Sequence, residues 1–114
     1  MHELSVAHSL VEIALDEMER VPESRIIALH LRIGALSGLV TDALLFAWDV
    51  VSEGTKLQGA ALKIEDVPVV IFCPVCQQEQ TLPGHQIFRC PRCNAKSADI
   101  RRGRELELVA LEVS

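Results

Sequence analysis

Apolar residues recur over the first twenty positions with the period of a helix. At roughly 100° per residue, Val6, Ala7, Leu10, Val11, Ile13, Ala14, Leu15, Met18 and Val21 share one broad arc. Ser5, His8, Ser9, Glu12, Asp16, Glu19 and Arg20 occupy the other side, and Glu17 alone intrudes on the apolar arc. Pro22 ends the pattern, because proline disfavours helix in the residue before it and has no amide donor. The segment "RIIALHLRIG" then alternates: Ile27, Leu29, Leu31 and Ile33 face one way, and Ile26, Ala28, His30 and Arg32 the other. A half-buried strand ending at Gly34 is expected. "TDALLFAWDVVSEG" predicts a second helix, with Thr41 as N-cap and Asp42 at the positive end of the dipole. Gly54 supplies a left-handed stop, and Leu44, Leu45, Trp48 and Val51 form the buried stripe. "AALKIEDV", with Leu62 and Ile64 inward, and "ELELVALEV" near the C-terminus predict two further strands.

Between those two strands the texture changes. "PVVIFCPVCQQEQTLPGHQIFRCPRCNAKSADIRRG" holds all four cysteines, four of the five prolines and five of the eleven lysines and arginines. The expected fold class is α+β: a small mixed three-stranded sheet packed against two helices, in the order α-β-α-β-(zinc module)-β. The inserted module is zinc-ribbon-like. Residues 1–67 plus 104–114 form the host domain, and residues 68–103 the inserted module.

Charge divides the chain in the same way. The net charge is −5, yet Pro68 to Arg104 carries Arg89, Arg92, Lys96, Arg101, Arg102 and Arg104 against Glu79 and Asp99, or +4. The remainder therefore carries −9. Three Phe and one Trp leave an aliphatic core. The apolar runs are short and the start is neither basic nor continuously apolar, so no membrane insertion and a cytoplasmic location are expected. In that compartment four cysteines call for an explanation other than secretion-type disulfides.

Their pattern is Cys73-x2-Cys76-x13-Cys90-x2-Cys93. Two intervening residues let one tight turn aim both thiolates at a single ion, and two such turns complete a tetrahedron of sulfur. Proline follows the first cysteine of each pair, and Gln77 and Asn94 follow the second. Asn94 suits a left-handed turn better than Gln77 does. A closed four-thiolate site implies structural Zn(II), although iron accepts the same donors. Two disulfides or a redox Cys-x-x-Cys are the competing readings. His85, between the pairs, reads as an exposed loop residue. Four thiolates on a divalent ion contribute −2, so the loaded module is nearer +2, with Phe72 and Phe88 its only aromatics. Nucleic-acid binding is therefore not expected.

"MHE" raises a second metal question. The Met1 amine, the His2 backbone nitrogen and the His2 imidazole can close two fused chelate rings on one ion. A Glu3 backbone nitrogen or carboxylate can complete the set. Nitrogen-rich planar donors suit Ni(II) or Cu(II) better than tetrahedral zinc. A terminal amine with a pKa of about 8 can yield its proton to a metal near neutrality. The plainer reading is a helix start with Glu3 at its positive end. His8 and His30 read as boundary and structural residues.

"MHELSVAHSLVEIA", "LRIGALSGL" and "CPVC…CPRC", in this order, resemble the HypA/HybF family of nickel-incorporation proteins for hydrogenase maturation. The resemblance spans essentially the whole chain. It implies a metallochaperone and not an enzyme, with Ni(II) as transient cargo for the NiFe-hydrogenase large subunit and, in some organisms, urease. It implies a HypB-type nickel GTPase as partner, with self-association one further possibility to test. The family's nickel site maps onto His2, with Glu3 implicated in the same site and Met1 joining them through the chelate chemistry above, and its zinc ligands map onto Cys73, Cys76, Cys90 and Cys93. Some members use a carboxylate near the start of the second helix. Here that stretch is Val40, Thr41 and Asp42, so Asp42 is the candidate. The alternative function is a zinc-ribbon adaptor without a nickel role.

Overall fold

The computed structural model describes residues 2–83 and 88–114. The elements are α1 (Glu3–Arg20), β1 (Ile26–Gly34), α2 (Thr41–Ser52), β2 (Ala61–Val67), β3 (Val70–Cys73), β4 (Gln78–Thr81), β5 (Ile100–Arg102) and β6 (Leu106–Val113). They build two three-stranded sheets, ordered β2-β1-β6 and β4-β3-β5. The chain is thus α+β, and the cysteine-bearing segment has a sheet of its own.

The first sheet is mixed. Ala35 N–H donates to Val67 O at 2.9 Å, so the ends of β1 and β2 lie side by side and these strands run parallel. Gly34 N–H donates to Glu105 O at one end of β1, and Ser114 N–H to Arg25 O at the other, so β6 runs antiparallel to β1.

Two compact units divide the chain. The first comprises Met1–Leu31, Gly38–Glu65 and Glu107–Ser114. Its helices pack on each other. Val6, Ala7, Leu10, Val11 and Ala14 of α1 and Leu44, Ala47 and Trp48 of α2 are buried. Apolar side-chain burial of this kind contributes about 25 cal/mol per Å² removed from water. Trp48 also anchors α2, because its indole Nε1 donates to Ala60 O at 2.9 Å at the threshold of β2. Gly54, at φ 77°, turns the chain out of α2 as its sequence position predicts.

Several expected inward residues face outward. Ile13 is 47% exposed and Leu45 38%. An arc as wide as that of α1 exceeds what a 12-residue partner helix covers, so its flank stays wet. In β1, Ile26, Ala28, Leu29, Leu31 and Ile33 are buried while Ile27 is exposed. Consecutive burial of Ala28 and Leu29 changes the phase of the alternation, so the predicted face holds only for the second half of the strand. Thr41 is the first helical residue rather than the N-cap. Val40 holds the cap position and has no side chain that could cap.

The second unit comprises Arg32–Ser37 and Asp66–Leu106. Val69, Ile71 and Leu82 form its core, with Leu36, Phe88 and Ile100 packed around them. Leu36 is tied in by its N–H, which donates to Gly103 O at 2.7 Å. Gly34 and Gly103 approach so closely that a Cβ on Gly34 would lie 2.1 Å from Gly103 O.

Candidate metal centres

β3 ends in Cys73, which pairs across the hairpin with Gln78, the first residue of β4. The loop between them is the first Cys-x2-Cys turn. The second turn is framed in the same way by a bridge between Arg89 and Lys96. Each turn closes with the same backbone bond: Gln77 N–H to Cys73 O at 2.8 Å, and Asn94 N–H to Cys90 O at 2.9 Å. Gln77 and Asn94 both take left-handed conformations, at φ 57° and 65°. The two turns are therefore alike, and the less favourable residue type at Gln77 does not alter the first. Amides freed by the turns point at sulfur: Cys76 N–H lies 3.3 Å from Cys73 Sγ, and Arg92 N–H 3.4 Å from Cys90 Sγ.

These turns gather the four Sγ atoms of Cys73, Cys76, Cys90 and Cys93 within 4.8 Å of one another. Cys73 and Cys93 are 3.5 Å apart, and Cys76 and Cys90 3.9 Å. A metal–sulfur bond of about 2.3 Å in tetrahedral geometry requires an edge of about 3.8 Å. These two separations lie close to that edge, so the cluster is of the size such an ion requires. All four cysteines are free, and these separations are far above the S–S bond length of about 2.05 Å. The disulfide reading therefore does not describe this arrangement.

The cluster divides its protons unevenly. Hydrogen bonding to the Cys93 sulfur, then burial and the other sulfurs, push Cys76 up to about 12. Burial also presses Cys90 upward, but the amides of Cys93 and Arg92 and neighbouring thiols bring it down to about 6. Metal ligation needs thiolates, so an ion binding at this cluster would displace protons from it.

Ser97 was not singled out by sequence reasoning, yet it braces the site. Its hydroxyl donates to Phe72 O at 2.6 Å, one residue before Cys73, and accepts from Asp99 N–H at 3.3 Å. Arg101 stacks over the Phe72 ring at 4.7 Å and makes two bonds, of 2.8 and 2.9 Å, to the Asp99 carboxylate. One of the module's few aromatics and one of its cations are therefore already engaged within the module.

At the other end of the chain, Met1 lies outside the described residues, as does His85. His2 is the exposed N-cap of α1, with φ −84° and ψ 140°, and its carbonyl accepts Val6 N–H at 3.1 Å. Glu3 stands in the first turn of α1. Its Oε2 accepts the backbone N–H of Val40 at 3.1 Å. That bond, then Glu3's own amide, holds the carboxyl below the ordinary glutamate range. It satisfies the backbone amide of the N-cap residue itself, from 37 positions away. It also brings Glu3 beside the stretch that begins α2, where Asp42 is exposed in the first turn. No local signal could have revealed Val40 as Glu3's partner, because the contribution is a main-chain amide.

The family model described as "Hydrogenase/urease nickel incorporation, metallochaperone, hypA" matches residues 1–113. The chain belongs to the HypA family. The hydrogenase maturation factor HypA of Chloroflexus aurantiacus is 57% identical over 112 residues, covering 98% of each chain. HypA of a Roseiflexus species is 52% identical over 98% of this chain and 91% of that one. Among solved structures, that of a HypA protein matches with a TM-score of 0.68 and 25% identity over 100% of this chain and 97% of the other. That of the Ni metallochaperone HypA from Helicobacter pylori matches with a TM-score of 0.62 and 25% identity, covering 98% and 97%. HypA proteins are hydrogenase maturation factors and metallochaperones, not enzymes. Among the described residues no helix is long and apolar enough to cross a membrane.

Proposed function

We propose that this chain carries Ni(II) at its N-terminus and delivers it to the NiFe-hydrogenase large subunit during maturation in the cytoplasm. Met1, His2 and Glu3 are the nickel residues in this reading. The observation that supports it is the anchoring of Glu3: the carboxylate of the residue that follows His2 is pinned to Val40 N–H through Oε2. Residues 1–67 plus 104–114 form the nickel-handling domain. A terminal site built from so few side chains is easily dismantled by ligand exchange, which suits transient cargo. A HypB-type nickel GTPase is the hand-off partner, and urease is a second recipient of the same cargo.

Cys73, Cys76, Cys90 and Cys93 hold structural Zn(II) in the 68–103 module. When bound, zinc supplies a rigid cross-link among four thiolates and no open coordination position. The turns and Ser97 hold the sulfurs in place for it.

The deciding measurement is a Ni(II) titration of the untagged protein beside His2→Ala. One nickel per chain with a visible ligand-field band is expected for the native protein. His2→Ala is expected to lose both while retaining zinc. Unchanged nickel stoichiometry in His2→Ala would overturn the site.

A further inference from the structure

The segment 95–102 changes partners halfway along. Its first half pairs with the residues that lead into the second cysteine turn. Cys90 N–H donates to Ala95 O at 2.9 Å and Ser97 N–H to Phe88 O at 3.1 Å, around the Arg89–Lys96 bridge. Its second half pairs with β3, which leads into the first turn. Ile100 lies opposite Ile71, and Phe72 N–H donates to Asp99 O at 2.9 Å. One stretch of chain thus holds both pairs of cysteines, and Ser97 stands where it passes from one to the other.

The Ser97 side chain enters the ladder at that point. In an antiparallel pair, the bond reciprocal to Phe72 N–H to Asp99 O runs from Asp99 N–H to Phe72 O. The Ser97 hydroxyl occupies that path, accepting from Asp99 N–H at 3.3 Å and donating to Phe72 O at 2.6 Å. Ser97 is only 9% exposed, so water is a poor substitute for it. Losing the hydroxyl deprives Phe72 O, next to Cys73, and Asp99 N–H of that partner. Through its own amide the same residue grips Phe88, two positions before Cys90.

Within each turn the sulfurs are placed by local backbone bonds, Gln77 N–H to Cys73 O and Asn94 N–H to Cys90 O. Those bonds do not fix the distance between turns, which is set by the chain that spans them. The sulfur contacts of 3.5 Å, Cys73 to Cys93, and 3.9 Å, Cys76 to Cys90, both run between turns. A shift of one turn against the other would open both.

We propose that Ser97 is a positioning residue for the four-thiolate centre. Its hydroxyl relay sets the separation between the Cys73–Cys76 and Cys90–Cys93 turns, and the affinity for a tetrahedral ion depends on that hydroxyl. Without it the turns part, and drawing them together costs some of the ion's binding free energy. The proposal rests on the reading of the four cysteines as a metal site, not on which divalent ion fills it.

The test uses the full-length protein, reduced and stripped of metal, with Co(II) as the probe. Sulfur-to-cobalt charge transfer in the near ultraviolet reports thiolate ligation alone, so binding at the N-terminus does not enter the signal. Competition with a chelator gives the affinity of the native chain, Ser97→Ala, Ser97→Thr and Ser97→Val. Threonine and valine share a shape and differ in the hydroxyl, which separates the relay from packing. Ser97→Thr should stay within about twofold of native, while Ser97→Ala and Ser97→Val should bind at least about tenfold more weakly. Both weakened variants should also release Co(II) to the chelator faster. At saturation the visible ligand-field band should be native in all, because four ligands remain. Equal affinities in Ser97→Thr and Ser97→Val overturn the proposal, as does native affinity in Ser97→Ala. A native chain that shows no charge-transfer band overturns the four-cysteine reading and the proposal with it. A native chain that shows the band beside unaffected variants overturns the proposal alone.

Discussion

Glu3 and Val40 are joined by a side-chain-to-backbone hydrogen bond of 3.1 Å, so the first residue of α1 caps α2. The same carboxylate that secures the second helix stands beside the exposed His2. Under the proposed nickel site, that side chain would have a structural and a metal-handling role at once.

Separating these roles is straightforward. In Glu3→Gln the amide oxygen can still accept from Val40, but the charge is lost. In Glu3→Ala both are lost. Nickel affinity is expected to fall about tenfold in Glu3→Gln and further in Glu3→Ala. Only Glu3→Ala should also lower the thermal midpoint. Titration with Ni(II) and thermal unfolding, run on both variants, check this order.

Metal removal should act on one unit. On the proposed zinc site, Cys73→Ser or Cys90→Ser removes a buried thiol and should release the ion, as should a strong chelator acting on the native protein. Amide exchange is then expected to accelerate in β3, β4 and β5, whose shared sheet is built around the first cysteine turn. The helical signal of α1 and α2 should persist. Exchange measured by mass spectrometry with and without chelator tests this. Equal acceleration throughout the chain would contradict it.

Gly34→Ala should be severely destabilising. The added Cβ would meet the Gly103 carbonyl oxygen at 2.1 Å and its carbon at 2.2 Å, both main-chain atoms that cannot rotate away. A cost of about 3 kcal/mol or more is expected from forcing two backbones apart. Denaturant unfolding, or failure to recover soluble protein, reads the effect.

His30 on β1, Lys63 on β2 and Glu112 on β6 meet on the first sheet. Glu112 Oε1 lies 3.0 Å from His30 Nε2 and 3.6 Å from Lys63 Nζ. The His30 hydrogen bond first, and the Lys63 charge second, hold Glu112 below the ordinary glutamate range. A carboxylate whose folded pKa is depressed contributes stability above its unfolded pKa. That contribution is lost as pH falls through the lowered folded value. Glu112→Gln should thus be slightly less stable than the native chain near neutrality, and the gap should close in acid. All three groups are substantially exposed, so the effect is small and shrinks with salt. Midpoints of both proteins across an acid pH series provide the comparison.

How far the sequence could be read depended on the range of each interaction. Pro22 and Gly54 act on their own neighbours, and the helix ends they mark are where the structure has them. The two Cys-x2-Cys turns are local as well, and a tetrahedral ion explains their repetition. Side-chain facing was legible only where one element decides it. Leu45 and Ile13 fit an apolar arc on paper, but the size of the opposing helix determines how much of that arc is covered. Ile27 illustrates the same limit in a strand, since the change of phase at Ala28 and Leu29 depends on what lies on either side. The Glu3–Val40 contact was invisible because it spans 37 positions and uses a backbone donor. The separate sheet β4-β3-β5 was missed because strands of three or four residues carry almost no periodicity.

The position of β6 at the rim of its sheet has a consequence for handling the protein. An edge strand offers unpaired backbone donors and acceptors to any neighbour, and here Leu106, Val109 and Val113 are exposed along it. What guards that edge is charge, from Glu107 and Glu112 interspersed among the apolar positions. Acid neutralises those guards and leaves a sticky ribbon. Turbidity of concentrated solutions is therefore expected to rise as pH falls, through strand-to-strand association at this edge.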